Sequence, residues 1–385
     1  MKVLHLIYSE QVAGAERYLL NLLPGLKQEG IECELICISP ARHKHKFVAL
    51  CRELKDKGVP TTLREGNRYR FFSVARYVGN YMKRENIIFL HSHLFKSDII
   101  AVMVKKFFNK KSFLLSTKHG YQEKYLSNYP SNNGRAVPNA YYYISRYIAR
   151  NINEHIAVSS AIANLYFNLK LTPQKIKYIH HGIELTSSGA TENPEDLRFG
   201  SPQLITVGRI ETIKGHRYLL DAMPELIKKF PGVKWVIIGE GTLKSNLEKK
   251  AAEAGMEKQV LFLGFRDDPG IYISHSDIIV LPSLFEPFGL VFIEALALKI
   301  PVVAFDVPAC NEIITHNESG ILVPLANSNA LAESICYLLQ NPAERERLAT
   351  NGHKLYREQF SIARMVKETG MWYKGIFGKR QDVVI

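Results

Sequence analysis

The stretch that decides the fold is Ile278-Ile-Val-Leu281-Pro282-Ser-Leu-Phe-Glu286-Pro287-Phe288-Gly289-Leu290-Val-Phe-Ile-Glu294-Ala-Leu-Ala-Leu298. Its short β-branched run, Ile278–Leu281, predicts a buried strand, and the apolar residues after Gly289 predict a helix over Val291–Ala297. A strand that leads directly into a helix is the repeating unit of a parallel sheet covered by helices. This stretch therefore predicts an α/β fold.

The same strand and helix pattern recurs along the chain in two series, separated by a segment of mixed Ser, Gly, Asn and Pro at Ser187–Pro202 that reads as a linker. We predict two Rossmann-like, doubly wound parallel-sheet domains that face each other across a cleft. The first domain covers 1–185 and the second 186–363, and an amphipathic tail at 364–385 returns to the first domain. The predicted strands of the two series are 3–7, 33–38, 87–90, 113–117 and 155–158, then 204–207, 235–238, 260–262, 278–281, 302–305 and 321–323. The predicted helices are 15–26, 47–57, 96–108 and 161–169, then 216–229, 243–254, 291–297 and 330–340.

Bulk properties favour a folded cytoplasmic protein. The first residues lack a signal-peptide pattern, and nowhere do about 18 apolar residues run together as a spanning helix requires. The five scattered cysteines fit reduced thiols better than a disulfide framework. The net charge of +13 lies in the first half, because residues 1–185 hold 28 basic and 13 acidic side chains against 22 and 24 in residues 186–385. Such a field attracts nucleic acid, an anionic lipid surface or a phosphorylated substrate, and charge alone does not choose among them.

Ligands of open α/β sheets bind at the carboxyl ends of strands, so the residues that follow each strand are the candidates. Pro287 suits a first helical position, which puts Glu286 at the helix mouth and Glu294 about two turns in, on an otherwise apolar helix. A buried carboxylate needs partners, and sugar or ribose hydroxyls are suitable donors. Free backbone N–H groups of the helix start form an anion site for a phosphate, at Phe288, Gly289, Leu290 and Val291.

A second candidate follows the strand 204–207. It is the segment Gly208-Arg-Ile-Glu-Thr-Ile-Lys-Gly215, which begins with Gly208 and Arg209 and ends with Lys214 and Gly215. Arg supplies a planar fork and Lys a mobile point charge, a pair that suits a diphosphate. The alternative reading is two ordinary surface cations.

Two strand ends of the first domain are weaker candidates. Gly14 follows the opening strand and would let the backbone approach a phosphate or an acceptor. His119 follows another strand and would donate a hydrogen bond to a sugar. His91 and His93 suggest a metal by their spacing, but no further ligand has recognisable spacing, so we expect satisfied core histidines. The chain also contains no Asp-x-Asp tripeptide, and we expect no metal and no cofactor.

Taken together, these residues resemble the retaining glycosyltransferases of family 4, which have the GT-B fold. The match rests on Gly-Arg-x(4)-Lys-Gly at 208–215, Glu-x(7)-Glu at 286–294 and Ala-Gly-Ala-Glu-Arg at 13–17. Further family features occur at 157–160, 181–184, 308–312 and 318–324, in the expected order along nearly the whole chain. Two residues depart from the family pattern: Ala13 stands for a glycine, and His181 for an asparagine.

The resemblance implies a metal-independent hexosyltransferase that retains anomeric configuration. Arg209 and Lys214 would hold the diphosphate of a UDP- or GDP-sugar, Glu294 the ribose and Glu286 the transferred sugar, while Gly14 and His119 line the donor from the other side. The leaving phosphate itself would take the proton of the acceptor hydroxyl. A sugar phosphorylase or nucleotide-sugar epimerase of the same fold is the alternative. An NAD-dependent dehydrogenase is disfavoured because its Gly-x-Gly-x-x-Gly dinucleotide-binding motif fails here: Gly239 and Gly241 fit, but Lys244 occupies the third glycine position.

The acceptor is the least defined partner. Cations alternate with aromatics in two stretches of the first domain, which suits an anionic membrane face where a glycan or lipid-linked acceptor waits. We therefore expect peripheral binding at the inner face of the cytoplasmic membrane, for synthesis of lipopolysaccharide, O-antigen, capsule or another surface glycan, and no nucleic-acid partner. Solvated helix faces are the alternative reading. The stretches comprise Arg64, Arg68, Arg70, Phe71, Phe72, Arg76 and Tyr77, then Lys105, Lys106, Phe107, Phe108, Lys110 and Lys111.

Overall fold

A computed structural model describes residues 1–66, 70–121, 139–184 and 197–381. The chain divides into two compact units, one of Met1–Gly182 with Ser361–Ile385 and one of Ile183–Phe360. Arg68, one of the cations named above, and most of the predicted linker lie outside the described residues. Within the described ranges, no helix is both long and apolar enough to cross a membrane.

The first unit is built on a parallel sheet of seven described strands in the order β3-β2-β1-β4-β5-β6-β7. Helices cover both faces, and buried aliphatic side chains fill the two layers between helices and sheet. The strands are β1 (Lys2–Tyr8), β2 (Glu32–Ser39), β3 (Thr61–Glu65), β4 (Phe89–His93), β5 (Phe113–Lys118), β6 (Glu154–Ala157) and β7 (Lys177–Tyr178). The helices are α1 (Gly14–Gln28), α2 (Val48–Asp56), α3 (Phe71–Arg84), α4 (Phe95–Met103), α5 (Ala140–Arg150) and α6 (Ser160–Asn168), and a π-helical turn at Val104–Phe108 follows α4.

The second unit repeats the plan with six described strands in the order β10-β9-β8-β11-β12-β13, again all parallel. In both sheets the strand order reverses beside the first strand, between β1 and β4 and between β8 and β11. The strands are β8 (Gln203–Val207), β9 (Lys234–Ile238), β10 (Val260–Gly264), β11 (Ile278–Leu281), β12 (Val302–Phe305) and β13 (Ile321–Val323). The helices are α7 (His216–Lys229), α8 (Lys244–Glu253), α9 (Pro269–Ser274), α10 (Leu290–Ala297), α11 (Ser328–Gln340) and α12 (Pro342–Gln359).

The last helix, α13 (Ile362–Gln381), returns to the first unit as the amphipathic pattern predicted. It packs on α1, where Lys374 pairs with Glu29 at 3.0 Å. Tyr373 is fully buried against the sheet, and the Phe377 ring lies 4.0 Å from that of Phe89. The sequence therefore predicted the α/β class, both parallel sheets and the returning helix correctly.

Several elements were not predicted. The strand β3, Thr61-Thr-Leu-Arg-Glu65, lies at the sheet edge with a half-polar sequence, so its pattern is weak. The helix α5 was missed because its run of three tyrosines is atypical of a helix interior. The predicted strand at 87–90 is found at Phe89–His93, because Ile87 closes the preceding turn through a hydrogen bond from its N–H to the Met82 carbonyl.

Candidate functional site

The switch point of the second sheet brings together the two loops that the sequence selected. Strands β8 and β11 are hydrogen-bonded neighbours, and their helices leave on opposite sides, which opens a crevice at the carboxyl ends. The loop after β8 carries Gly208–Gly215, and the loop after β11 carries Pro282–Gly289. These two segments are adjacent in space although about 70 residues separate them in the sequence.

An ion pair joins the two loops. Lys214 Nζ lies 2.6 Å from Glu286 Oε2, and the two side chains retain 21% and 10% of their exposure. Behind the pair, Gly215 adopts a left-handed conformation with φ +65°, and a Cβ at this position would stand 1.8 Å from the Pro282 carbonyl oxygen. Glycine is required here because the loops touch through backbone. A cation and a carboxylate are thus held side by side in a crevice that solvent reaches.

The start of α10 differs from the prediction. Gly289 caps the helix with φ +98° and Leu290 is its first residue, so Pro287 lies in the preceding turn and is not the first helical residue. Glu294 consequently lies just over one turn from the start, and it is buried, with 8% of its surface exposed. The first N–H groups of any helix lack intrahelical acceptors, and α10 begins four residues after Glu286 in the sequence.

Arg209 follows β8 with an exposed side chain, while Lys214 is partly shielded. The crevice therefore offers one solvated guanidinium, one ammonium paired to a carboxylate and one helix N-terminus. All three favour a polyanionic ligand such as a diphosphate. Glu286 adds an acceptor for hydroxyl groups beside it.

The switch point of the first sheet lies between β1 and β4. Gly14 is the first residue of α1, and Ala13 precedes it with extended angles, φ −140° and ψ −154°. Any residue adopts these angles, which explains why the chain tolerates alanine where the family pattern has glycine. The Ala13 N–H donates to Glu16 Oε2 at 2.8 Å, so the carboxylate closes the turn in place of a side-chain cap.

His119 follows β5 and is partly exposed. Its Nε2 lies 3.2 Å from Nδ1 of His93, while its Nδ1 is buried and has no hydrogen-bond partner among the described residues. Burial lowers the pKa of His119 well below its usual range, and the neighbouring Lys118 charge adds to the effect. A neutral imidazole with one unsatisfied nitrogen is suited to hydrogen bonding with a ligand.

Residues that the sequence did not select surround His119. The Tyr18 ring meets it edge-on at 5.1 Å and lies 4.6 Å from His181, the family departure noted above. His5, which is opposite His91 in the β1 and β4 register, is fully buried, and His5, His91 and His93 bring ring nitrogens within 4.8 Å of one another. A histidine in the middle of an apolar strand, Leu4-His5-Leu6, was the available signal for this cluster.

Parts of the two basic and aromatic stretches of the first unit lie together on its surface. Phe72 of α3 and Phe107 of the π-helical turn are 53% and 62% exposed, with ring centroids 5.8 Å apart. Lys106 bonds to the hydroxyl of Tyr147 on α5, whose ring is 49% exposed. Lys110 is exposed nearby in sequence. We refer to Phe72, Phe107, Tyr147, Lys106 and Lys110 as the aromatic-basic surface.

Comparison with known proteins agrees with this architecture. The model of the family described as Glycosyltransferase Family 4 matches residues 12–187, and that of Glycosyl transferases group 1 matches residues 190–355. The chain belongs to glycosyltransferase family 4. The boundary between the two family models, at residues 187–190, lies close to the boundary between the two compact units, at Gly182 and Ile183. The motifs at 208–215 and 286–294 both fall in the group 1 segment of this family-4 protein.

Three relatives illustrate the similarity. An uncharacterised glycosyltransferase of Methanocaldococcus jannaschii is 31% identical over 63% of this chain and 64% of its own length. The Campylobacter jejuni N-acetylgalactosamine-N,N'-diacetylbacillosaminyl-diphospho-undecaprenol 4-alpha-N-acetylgalactosaminyltransferase is 30% identical over 48% of this chain and 50% of its own length. The chain thus matches half to two thirds of these curated relatives. The Anabaena HepE crystal structure in complex with UDP and glucose superposes with a TM-score of 0.80 at 19% identity, over 97% of this chain and 100% of that one.

Proposed function

We propose that this protein is a retaining glycosyltransferase that moves a sugar from a nucleotide-diphosphate sugar to an acceptor hydroxyl without a metal ion. The observation that carries the proposal is the Lys214 and Glu286 pair at the switch point of the second sheet, next to the first turn of α10. A fixed cation, a carboxylate and a helix N-terminus meet there in a crevice where such sheets bind ligands. HepE, which shares the fold, was crystallised with UDP and glucose, and this supports the same kind of donor here.

In this proposal different residues of the second unit bind different parts of the donor. Arg209 and Lys214 bind the diphosphate, while Gly208 and the turn Phe288–Val291 leave room for it and offer backbone N–H groups. Glu294 accepts hydrogen bonds from the ribose hydroxyls. Lys214 must exchange Glu286 for a phosphate oxygen when the donor binds, because its ammonium now points at that carboxylate. Release frees Glu286 to accept from the hydroxyls of the transferred sugar.

The reaction makes the acceptor O–C1 bond and breaks the C1–O bond to the diphosphate on the same face of the sugar. The acceptor proton passes to the leaving phosphate oxygen, and Arg209 and Lys214 stabilise the negative charge that develops there. His119, with Gly14 at the start of α1, would contact the donor from the first unit. Fixed cations thereby supply the charge stabilisation that a divalent ion gives in other transferases.

The test is a screen of UDP- and GDP-sugars for binding and slow hydrolysis in the presence of EDTA. Wild type is compared with Lys214→Ala and Glu294→Ala, and with Lys244→Ala as a matched control, because Lys244 also pairs with a glutamate in the same unit but on the surface, at 2.9 Å from Glu240. We expect one nucleotide sugar to turn over and Lys214→Ala to lower its turnover by roughly 10² to 10³. Lys244→Ala should leave turnover within about twofold.

Three outcomes would contradict the proposal. Absence of binding by every nucleotide sugar rejects the donor class. A requirement for a divalent ion rejects the metal-independent site. Turnover that requires inorganic phosphate and releases a sugar phosphate would instead indicate a phosphorylase, the alternative with the same fold.

We further propose a lipid-linked acceptor at an anionic membrane, which would place the protein in surface-glycan synthesis. The support is the aromatic-basic surface, where exposed rings and lysines from three elements lie together, as at an interfacial anchor. The Campylobacter relative is named for a diphospho-undecaprenol acceptor, which is a membrane lipid. A lysine near such a surface contributes about 1 kcal/mol of attraction to anionic lipid.

Vesicle sedimentation tests this surface. We expect binding to phosphatidylglycerol vesicles that salt weakens, little binding to phosphatidylcholine, and loss of binding in Phe72→Ser/Phe107→Ser. Phe265→Ser is the matched control, because Phe265 is 66% exposed in the second unit, away from these residues in the sequence. Equal binding to both lipids, or equal loss in both variants, would reject the membrane surface.

A further inference from the structure

A continuous hydrogen-bonded chain of side chains runs through the first unit and ends at His119. His119 Nε2 lies 3.2 Å from His93 Nδ1, and His93 Nε2 lies 3.0 Å from His5 Nδ1. His5 Nε2 then faces the Tyr373 hydroxyl at 3.4 Å, which in turn lies 2.5 Å from His91 Nδ1. His91 Nε2 finally meets Thr117 Oγ1 at 2.8 Å. Both nitrogens of His5, His91 and His93 are therefore engaged.

The topology explains why these groups meet. His5 and His91 are register partners on neighbouring strands, and His93 follows His91 by two residues on the same face of β4. Tyr373 reaches the chain from α13, which comes from the other end of the sequence. His5, His91, His93 and Tyr373 are all fully buried, whereas His119 is partly exposed. The chain thus connects the sheet interior with the strand end that carries His119.

Burial constrains the protonation of every member. Desolvation lowers the pKa of His5 to about 3 and holds the pKa values of His91 and His93 well below their usual range, so the rings are neutral at pH 7. A neutral imidazole has one donor nitrogen and one acceptor nitrogen. If one hydrogen bond of the chain donates toward His119, every following hydrogen bond must also donate toward His119, and the same holds for the opposite direction toward Thr117. The chain therefore has two possible directions of donation, here called its polarities.

Thr117 favours one of the two polarities. Its hydroxyl is buried in the sheet, and a buried O–H needs an acceptor, which His91 Nε2 provides. Donation by Thr117 directs each subsequent proton toward His119, whose Nε2 then accepts and whose Nδ1 carries hydrogen. In the opposite polarity His91 Nε2 would donate to Thr117, the Thr117 proton would have to turn to the neighbouring Tyr18 hydroxyl, and His119 Nε2 would donate to His93.

We propose that Tyr373, His91, His5 and His93 are positioning residues that hold His119 as the Nδ1–H tautomer, ready to donate to an oxygen of the bound donor. The proposal rests on the proposed role of His119 in donor binding. It accounts for the buried Nδ1 of His119, which has no hydrogen-bond partner within the described part of the chain and which a ligand oxygen would complete. It also gives the last helix a direct link to the chemistry, since the Tyr373 hydroxyl is the bridge between two of the histidines.

The same nitrogens lie close enough for a metal ion, yet the contacts favour hydrogen bonds. The His5 and His93 rings are only 15° from parallel with centroids 5.3 Å apart, which suits an N–H···N contact between ring edges. Each nitrogen of His91 also faces a hydroxyl oxygen. A metal site at His5, His91 and His93 would show itself as Zn²⁺ binding in the experiment below.

The experiment uses ¹⁵N-histidine NMR of the full chain to identify the protonated nitrogen of His119, with assignment by His119→Gln. It compares wild type with Tyr373→Phe and Thr117→Val, each of which deletes one hydroxyl, and with Tyr356→Phe as a matched control whose hydroxyl donates to the Ile183 carbonyl in the second unit. We expect Nδ1–H in wild type and in the control, and a mixture of tautomers in the two chain variants. Donor turnover should show kcat lowered by roughly tenfold to 100-fold in Tyr373→Phe, with KM changed by less than about twofold.

The NMR readout needs no substrate, so it separates this proposal from the proposed function. If no nucleotide sugar turns over but Tyr373→Phe shifts the His119 tautomer, the donor assignment fails while the hydrogen-bonded chain stands. An Nε2–H tautomer in wild type, or an unchanged tautomer and kcat in both chain variants, would overturn the positioning role. Stoichiometric Zn²⁺ bound by wild type and lost in His93→Gln would overturn it in favour of a metal site.

Discussion

Lys118→Met tests the buried ion pair that ties together the strand ends carrying His93 and His119. Lys118 Nζ lies 2.6 Å from Asp98 Oδ2, and the two side chains are 4% and 5% exposed. The other carboxylate oxygen, Oδ1, accepts from the Ser92 and Ser116 hydroxyls at 2.6 and 2.7 Å. One helix residue thus holds β4 and β5 at their carboxyl ends.

The expected magnitude follows from these contacts. Removing one partner of a buried pair costs about 3 to 5 kcal/mol, because the remaining charge is buried and uncompensated. The two serine hydroxyls still solvate Asp98, so we expect a loss of about 3 kcal/mol in the free energy of unfolding of the first unit. For a unit of this size that corresponds to a decrease in Tm on the order of 10 °C.

Thermal and urea unfolding at pH 7 provide the measurement. Lys57→Met is the control, because its pair with Glu53 at 2.7 Å is about half exposed and should contribute less than about 0.5 kcal/mol. Adding Asp98→Asn to Lys118→Met should restore part of the stability, since no buried charge then remains. If Lys118→Met costs no more than Lys57→Met, the account of this ion pair is wrong.

Three more predictions concern the loops and the buried histidines. Gly215→Ala should lower donor turnover at least about tenfold, because its Cβ would displace the Pro282 carbonyl. Gly255→Ala is the control: Gly255 has a similar φ of +67° and no described atom within 4 Å, so the change should cost only the backbone strain of about 1 kcal/mol, and equal effects on turnover would refute the close loop contact. Glu286→Gln should reduce turnover roughly 100-fold with little change in Tm. Steady-state kinetics and a thermal melt test this, with Glu240→Gln as the control. Unaltered kinetics in Glu286→Gln would remove Glu286 from the site. Burial lowers the pKa of His155 to about 3, so the unfolded chain takes up a proton before the folded chain does. The free energy of unfolding therefore falls as the pH drops below about 6.5, by about 1.4 kcal/mol per pH unit. In urea unfolding from pH 7 to 5, His155→Gln should show a shallower fall in this free energy than wild type, whereas His45→Gln, at an exposed position, should show the same fall as wild type.

Much of the fold could be predicted because buried parallel strands have continuous apolar sequences. The strand Ile278–Leu281 and the helix His216–Lys229 were predicted with the bounds that the structure has. The half-exposed edge strand Thr61–Glu65 lacked such a signal. The helix predicted over Val291–Ala297 starts within one residue of α10, but the assignment of Pro287 to its first position was wrong, because the left-handed Gly289 that caps the helix has no distinctive pattern in one sequence.

Individual site residues were easier to select than their contacts. Glycines and charges after strands β8 and β11 identified Lys214 and Glu286 separately, and only the resemblance to family 4 implied that both contact one donor. That the two side chains form an ion pair depends on loop geometry, which a sequence does not specify. The histidine chain was missed for a related reason, because Tyr373 and His5 are 368 residues apart and only the packing of α13 brings them together.

The returning helix makes the first unit the last to be completed during synthesis. The ribosome must translate all of Ile183–Phe360 between the two pieces of that unit, which takes on the order of ten seconds or more at about 5 to 20 residues per second. Throughout that interval the surface of α1 that later contacts Val366 and Tyr373 stays open to water or to a chaperone. A chain that stops before α13 would therefore lack both the cover of its first core and the hydroxyl that links its histidines.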